Sequence, residues 1–282
     1  MSGVCPNDLQ THVLAYTGCQ GMPLGEGRRQ VDDALARRLG ELNSRFYRQV
    51  GASFSATRQT GWPGWQRVLG EAGLVAGSRA DVLDLACGNL RFERYLAGQS
   101  VQARVWAVDN CDELVGLGRA GAGEVRYLHV DVADALFEPG GLRAALAGVD
   151  PCDLAVCFGF LHHVALPAHR LELLRALIEA VRPGGMVAVS LWQFARDARL
   201  LAKATPVEGG NEGDYLLGWQ GSTDVVRYCH SFSEGEVDTL SASCEPVAYE
   251  LARYSADGRA GDLNRYLILR RGRGCPACGG WA

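Results

Sequence analysis

Five short, largely apolar runs, at residues 82–86, 105–108, 125–130, 154–158 and 186–191, punctuate the middle of this chain. A strand without a polar side is buried on both faces, so its sheet needs a layer on each side. Helical spacing lies between several of these runs, at 90–96, 142–147 and 168–181. Apolar strands alternating with helices build parallel βαβ units. Two later β-like stretches, 246–253 and 264–271, are placed to close the sheet as an antiparallel pair. The expected fold is α/β: a seven-stranded, mostly parallel sheet with helices on both faces.

Around this centre the texture changes. Val31, Leu35, Leu39, Leu42, Phe46 and Val50 recur at helical spacing. The segment Thr60-Gly-Trp-Pro-Gly-Trp65 follows, then a short helix toward Leu74. Residues 205–230 are aromatic and polar with little periodicity, and so long an irregular segment is usually functional. The expected organisation is a loose extension over 1–28, a single domain over 29–271 and a flexible tail over 272–282. The domain carries an N-terminal helical cap, 29–75, and a cap insertion, 205–232.

Composition narrows the setting. With 48% hydrophobic and 21% charged residues the chain is neither disordered nor collagen-like. No stretch nears the roughly 18 apolar residues of a membrane helix, and no basic segment leads an apolar core at the N-terminus. A cytoplasmic, reducing setting is expected, so Cys87, Cys152 and Cys157 read as small buried hydrophobes. A net charge of −4 excludes a bulk basic field and leaves room for a local patch. Residues 1–70 hold eight arginines and five acids, and Arg265, Arg270, Arg271 and Arg273 follow the last acid; together they are candidates for one phosphate-binding face. Cys275-x-x-Cys278 has half a zinc site's spacing without a second pair, and no metal is expected.

Ligands of a parallel α/β sheet bind beyond the carboxyl ends of the strands. After the first run stands Asp84-Leu-Ala-Cys-Gly88-Asn-Leu-Arg91, after the second Asp109, after the third Asp131 and after the fourth Gly159-Phe-Leu-His162-His163. Arg182-Pro-Gly-Gly185 precedes the fifth as a helix stop and turn. A carboxylate at the second strand's end suits two ribose hydroxyls. Each aspartate alone also reads as a solvated turn or N-cap; the ordered set is the signal.

Over about residues 81–192 this set resembles the class I S-adenosylmethionine-dependent methyltransferases, which implies a Rossmann-like sheet and that cofactor. The resemblance assigns Asp84, Ala86 and Gly88 to the methionine portion, Asp109 to the ribose and Asp131 to the adenine, with Asp134 the alternative. The usual loop has glycine where this chain has Ala86 and Leu90. Two flanking segments are more particular: Phe46-Tyr47 through Ser53-Phe54-Ser55 to Arg58 with Trp62-Pro63, and Asp214-Tyr215 to Trp219 with Arg227-Tyr228-Cys-His230. Both resemble the methyltransferases that esterify carboxymethyl-uridine at the tRNA wobble position. That likeness implies tRNA as a partner, a small activating subunit, Tyr47 and Arg58 closing over the cofactor, and Arg227, Tyr228, His230 and His162 around the acceptor. A carboxylate acceptor needs no general base, whereas a small-molecule hydroxyl or amine would use His162, His163 or His230. The third possibility, prompted by Leu90, is a cofactor-binding subunit without catalysis.

Overall fold

A computed structural model describes residues 31–273; the expected extension over 1–28, most of the expected tail and the Cys275/Cys278 pair lie outside the described residues. The chain runs α1 Asp33–Ala56, α2 Gly64–Ala72, β1 Arg79–Leu85, α3 Arg91–Gly98, β2 Gln102–Asp109, α4 Asp112–Gly118 and β3 Glu124–His129. It continues α5 Val132–Ala135, α6 Gly141–Ala145, β4 Cys152–Cys157, α7 Pro167–Ala180 and β5 Val181–Trp192. The last part is α8 Ala198–Leu201, β6 Ala204–Pro206, β7 Asp214–Trp219, β8 Ser222–His230, α9 Glu234–Ala242, β9 Ala248–Ala256 and β10 Asn264–Arg271.

The main sheet has seven strands in the order β3-β2-β1-β4-β5-β10-β9. β1 to β5 are parallel, and β10 lies antiparallel to both β5 and β9. Side chains alternate across a strand, so β1 feeds two cores. Leu83 and Leu85 join Leu142, Leu173 and Leu177 of α6 and α7. Val82 joins Trp65 and Leu69 of α2 and Phe92 and Leu96 of α3. Strand order reverses between β1 and β4, which opens a crevice at their carboxyl ends. The expected turn at 182–185 is a bulge in β5: its pairing steps from Cys152↔Val181 to Leu154↔Met186.

Residues 205–230 are not irregular. They hold most of a three-stranded antiparallel sheet, β6-β7-β8. Its periodicity is hidden because Arg227, Tyr228, Cys229 and His230 are all buried, so neither face of β8 is marked by polarity. The hairpin turns at Gln220 and Gly221, with φ of 51° and 85°, a left-handed pair that matches the twist of the flanking strands. Helix α9 starts with a reciprocal capping box, Ser233 with Glu236.

Register divides the C-terminal arginines: Arg265 pairs with Leu191 toward the carboxyl end of β5, and the others lie at its amino end. Arg270 pairs with Met186 at the start of β5, and Arg271 donates to the carbonyls of Glu179 and Val181. That is the amino end of the parallel strands. Helix α1 packs on α4, α5 and β8 at the other end. Arg270, Arg271 and Arg273 therefore do not share a face with the arginines of α1, because an antiparallel β10 carries its own C-terminus away from the crevice.

Candidate functional site

A cavity of about 770 Å³ occupies the crevice, roofed by α1 and the β7–β8 hairpin. Asp84, Ala86, Gly88, Asp109, Asp131, Tyr47, Arg58, His162 and Arg227 line it; Tyr228 and His230 do not.

One half of the cavity is acidic. The loop after β1 holds left-handed backbone at Ala86, Gly88 and Leu90, with φ of 62°, 55° and 52°. The turn keeps its shape although only Gly88 is glycine. A Cβ on Gly88 would project into open space, so this position leaves the backbone bare toward the cavity. Gly88 N donates to Asp109 Oδ2 at 2.8 Å and Cys111 N to Oδ1 at 2.9 Å, which fixes that carboxylate at the end of β2. Asp131 caps α5 by accepting from Asp134 N at 3.1 Å, and also accepts from Asn110. Asp134 is not among the lining residues. Asn89, which the sequence reading passed over, donates to Ser55 Oγ at 2.9 Å and the Arg58 carbonyl at 3.2 Å, tying α1 to the loop. Arg91 spreads its guanidinium over Trp62 at 4.5 Å and Trp65 at 5.2 Å, facing the same space. Burial, then the neighbouring carboxyls of Glu93 and Asp109, pushes Asp84 well above the usual carboxylate range. Burial also pushes the Cys87 thiol up, which keeps it protonated and unreactive.

The other half is aromatic, with one cation. Tyr47 and Phe54 meet edge to face at 5.0 Å, and Phe54 lies 5.3 Å from Trp219. His162 packs on Trp192 at 5.0 Å and on His163 at 4.1 Å. The Tyr228 carbonyl lies 2.7 Å from His163 Nδ1 and can only accept, so Nδ1 carries the hydrogen. Nε2 then accepts from the Tyr47 hydroxyl at 2.9 Å. Burial holds His163 down at about 3 and, with repulsion from His163 and Arg227, holds His162 well below the usual range; both rings are neutral. Arg58 lies over Phe54 at 3.4 Å and is lowered to about 10 by burial. Arg227 sits among Phe46, Trp192 and Trp219 at 5.0 to 5.9 Å. It is 8% exposed, and its Nη1 has no hydrogen-bond partner among the described residues. Asn43 Nδ2 and His162 Nδ1 are likewise buried and without a partner. Asn43 stands next to Arg227, since its Oδ1 accepts from Tyr228 N at 2.7 Å. Buried polar atoms without a partner cost about 1–3 kcal/mol each, and Asn43, His162 and Arg227 all line this cavity, so a polar acceptor group fits there.

Tyr228 and His230 point the other way because β8 alternates. Tyr228 donates to Asp214 Oδ1 at 2.7 Å, and His230 bridges Asp214 at 2.7 Å and Glu236 at 2.8 Å. Arg170 joins the same buried network. This corrects their expected place beside the acceptor: they brace the strand that carries Arg227. His162, His163 and Cys229 form a buried trio with ligand atoms within 4.8 Å, but both His163 nitrogens are engaged and Arg227 hydrogen-bonds the Cys229 thiol. Among the described residues no helix is long and apolar enough to cross a membrane.

A family model described as a methyltransferase domain matches residues 54–239. The tRNA (carboxymethyluridine(34)-5-O)-methyltransferase of Macaca fascicularis is 28% identical over 168 residues, 60% of this chain and 22% of that protein. The protein of the same name from Arabidopsis thaliana is 29% identical over 178 residues, 63% of this chain and 38% of its own length. The chain thus spans only about a fifth to two-fifths of these relatives. Among solved structures, the N-methyltransferase NodS of Bradyrhizobium japonicum, in complex with S-adenosyl-L-homocysteine, superposes with a TM-score of 0.52 at 13% identity, covering 82% of this chain and 98% of NodS. At that identity the likeness is one of fold.

Proposed function

The chain belongs to the methyltransferase family, and from that premise we propose that it esterifies a carboxylate carried on a modified tRNA uridine, with S-adenosylmethionine as methyl donor. The donor set fits this cofactor. Asp84, Asp109 and the bare backbone at Gly88 suit an amino acid and a ribose diol, and Asp131 suits an adenine amino group. Arg91 suits the amino acid's carboxylate. When bound, S-adenosylmethionine supplies an electrophilic methyl group. Leu90, which prompted a non-catalytic reading, adopts the left-handed backbone that glycine favours, with φ of 52°.

The observation that carries the acceptor assignment is Arg227: a buried guanidinium in an aromatic cage, with an unmatched N–H beside the unmatched amide of Asn43. Such donors match the two oxygens of a carboxylate, and the surrounding rings match the flat faces of a base. The acceptor carboxylate, with an ordinary pKa near about 4, is ionised at neutral pH and is itself the nucleophile. What the enzyme contributes is orientation and exclusion of water. Neutral His162 and His163, held low by burial, fit a site in which no base is called upon.

The test is single-turnover methylation of tRNA bearing carboxymethyl-uridine. Arg227→Ala lowers the rate on the order of a hundredfold or more while cofactor affinity stays within a few-fold, because misplacing an acceptor by about 1 Å costs that much. Arg227→Lys recovers little, since an ammonium lacks the planar fork. At saturating S-adenosylmethionine the wild-type rate stays nearly flat from about pH 6 to 9. A rate that climbs with pH through the histidine range, with an active Arg227→Ala enzyme, indicates a hydroxyl or amine acceptor on a small molecule and overturns the ester assignment.

A further inference from the structure

Beneath the cavity's acidic half lies a carboxyl that the proposed reaction does not use. Glu93 on α3 is 1% exposed and Asp84 on β1 is 3% exposed. Neither Glu93 oxygen has a hydrogen-bond donor in sound geometry among the described residues. The Asp84 carboxyl lies within hydrogen-bonding reach of Glu93, and a bond between them requires one of the two to carry a proton. Two carboxyls in such contact cannot both be ionised. Other charged and titratable groups around the pair are Asp109 of β2, Cys87 of the loop, Cys157 of β4, and Arg91 and Arg94 of α3. Neither arginine is a direct partner of the pair. Arg91 lies over the Trp62 and Trp65 rings, and Arg94 Nη1 donates to the carbonyls of Asn89 and Gly118. Asp109 adds negative charge close by, and Cys87 stays neutral.

We propose that Asp84 and Glu93 share one proton in the cofactor-free enzyme, and that the ammonium group of the bound cofactor replaces it. The proposal rests on the reading that Asp84 faces the cofactor's amino-acid end. The exchange balances in charge: one cation enters, one proton leaves to the buffer, and no covalent bond changes. Burial raises both carboxyls above the usual carboxylate range, so the pair holds a proton that an incoming cation can displace. Glu93 is thus a positioning residue for cofactor charge, and cofactor affinity carries a pH dependence that the carboxylate acceptor does not.

Calorimetric titration with S-adenosyl-L-homocysteine at pH 6.5, in phosphate and in imidazole buffers, counts the protons released. The wild type releases between about a half and one proton on binding. Glu93→Gln binds the same ligand and releases close to none. 5′-Methylthioadenosine, which keeps the adenosine and lacks the ammonium, releases none from the wild type, so the comparison stands even where the variant folds poorly. Equal binding heats in the two buffers for the wild type overturn the shared proton, as does undiminished release from Glu93→Gln. Failure of S-adenosyl-L-homocysteine to bind at all overturns the cofactor reading and the proposal with it.

Discussion

At Ala86 and Leu90 single side chains stand where a left-handed turn favours glycine, and the fold answers each differently. Left-handed backbone costs a non-glycine residue about 1–2 kcal/mol. Ala86 borders the cavity, and its methyl group repays little of that cost. Leu90 is fully buried among Trp65, Phe92 and Leu96, where its side chain offsets the strain. Ala86→Gly therefore leaves stability unchanged or raises it by up to about 1 kcal/mol, after the extra backbone entropy of glycine. Leu90→Gly lowers it by about 2 kcal/mol or more, because a vacated leucine site outweighs the relief. Chemical denaturation of the two variants separates these outcomes. A loss of stability in Ala86→Gly shows that its methyl group packs better than its place at the cavity wall allows.

A single strand, β8, divides chemistry from support. Arg227 and Cys229 face the cavity side, while Tyr228 and His230 face the network of Asp214, Arg170 and Glu236. Tyr228→Phe removes a hydroxyl that donates to Asp214 and accepts from Arg170, both buried. It lowers stability by about 1–3 kcal/mol. At a temperature where the protein stays folded, its methyl-transfer rate remains within a few-fold of wild type. Arg227→Ala behaves in the opposite sense, with folding nearly kept and rate lost. Thermal melts paired with single-turnover rates test this split, and a hundredfold rate loss in Tyr228→Phe contradicts it. Four consecutive buried side chains gave the sequence no alternation to reveal this strand. The capping box Ser233-x-x-Glu236, by contrast, was there to be read as the start of α9.

Across the whole molecule, polarity runs along the sheet axis. The cavity, α1 and the cap sheet gather at the carboxyl ends, and Arg270, Arg271 and Arg273 gather at the amino ends. Arg37, Arg38, Arg45 and Arg48 stand exposed on α1, beside the cavity mouth. On the proposed tRNA reading, the RNA backbone would meet that helix first. Charge reversal at Arg37 and Arg45 weakens tRNA binding about tenfold or more and flattens its salt dependence, while leaving S-adenosyl-L-homocysteine binding unchanged. Reversal at Arg273, at the far pole, leaves tRNA affinity near wild type. Filter binding over a salt series reads both, and equal losses from the two reversals remove α1 from the RNA face.

The seven strands of the main sheet were legible from the chain alone, most clearly β1, β4 and β5, because a strand buried on both faces is apolar along most of its length. So was the row Asp84, Asp109 and Asp131, since the end of a parallel strand is a position in sequence as much as in space. Three things belonged to the tertiary structure. Glu93 pairs with Asp84 only because α3 folds back over β1. Arg270, Arg271 and Arg273 part company with the arginines of α1 only because β10 runs antiparallel. Arg227 faces the cavity, and Tyr228 does not, because β8 alternates between two buried faces, Tyr228 lying against Ala36 and Leu39 of α1 and bonding to the charged network. The first is a contact made across the turn from β1 to α3, the second a matter of strand direction and the third a choice between two buried faces, and a local pattern records none of them.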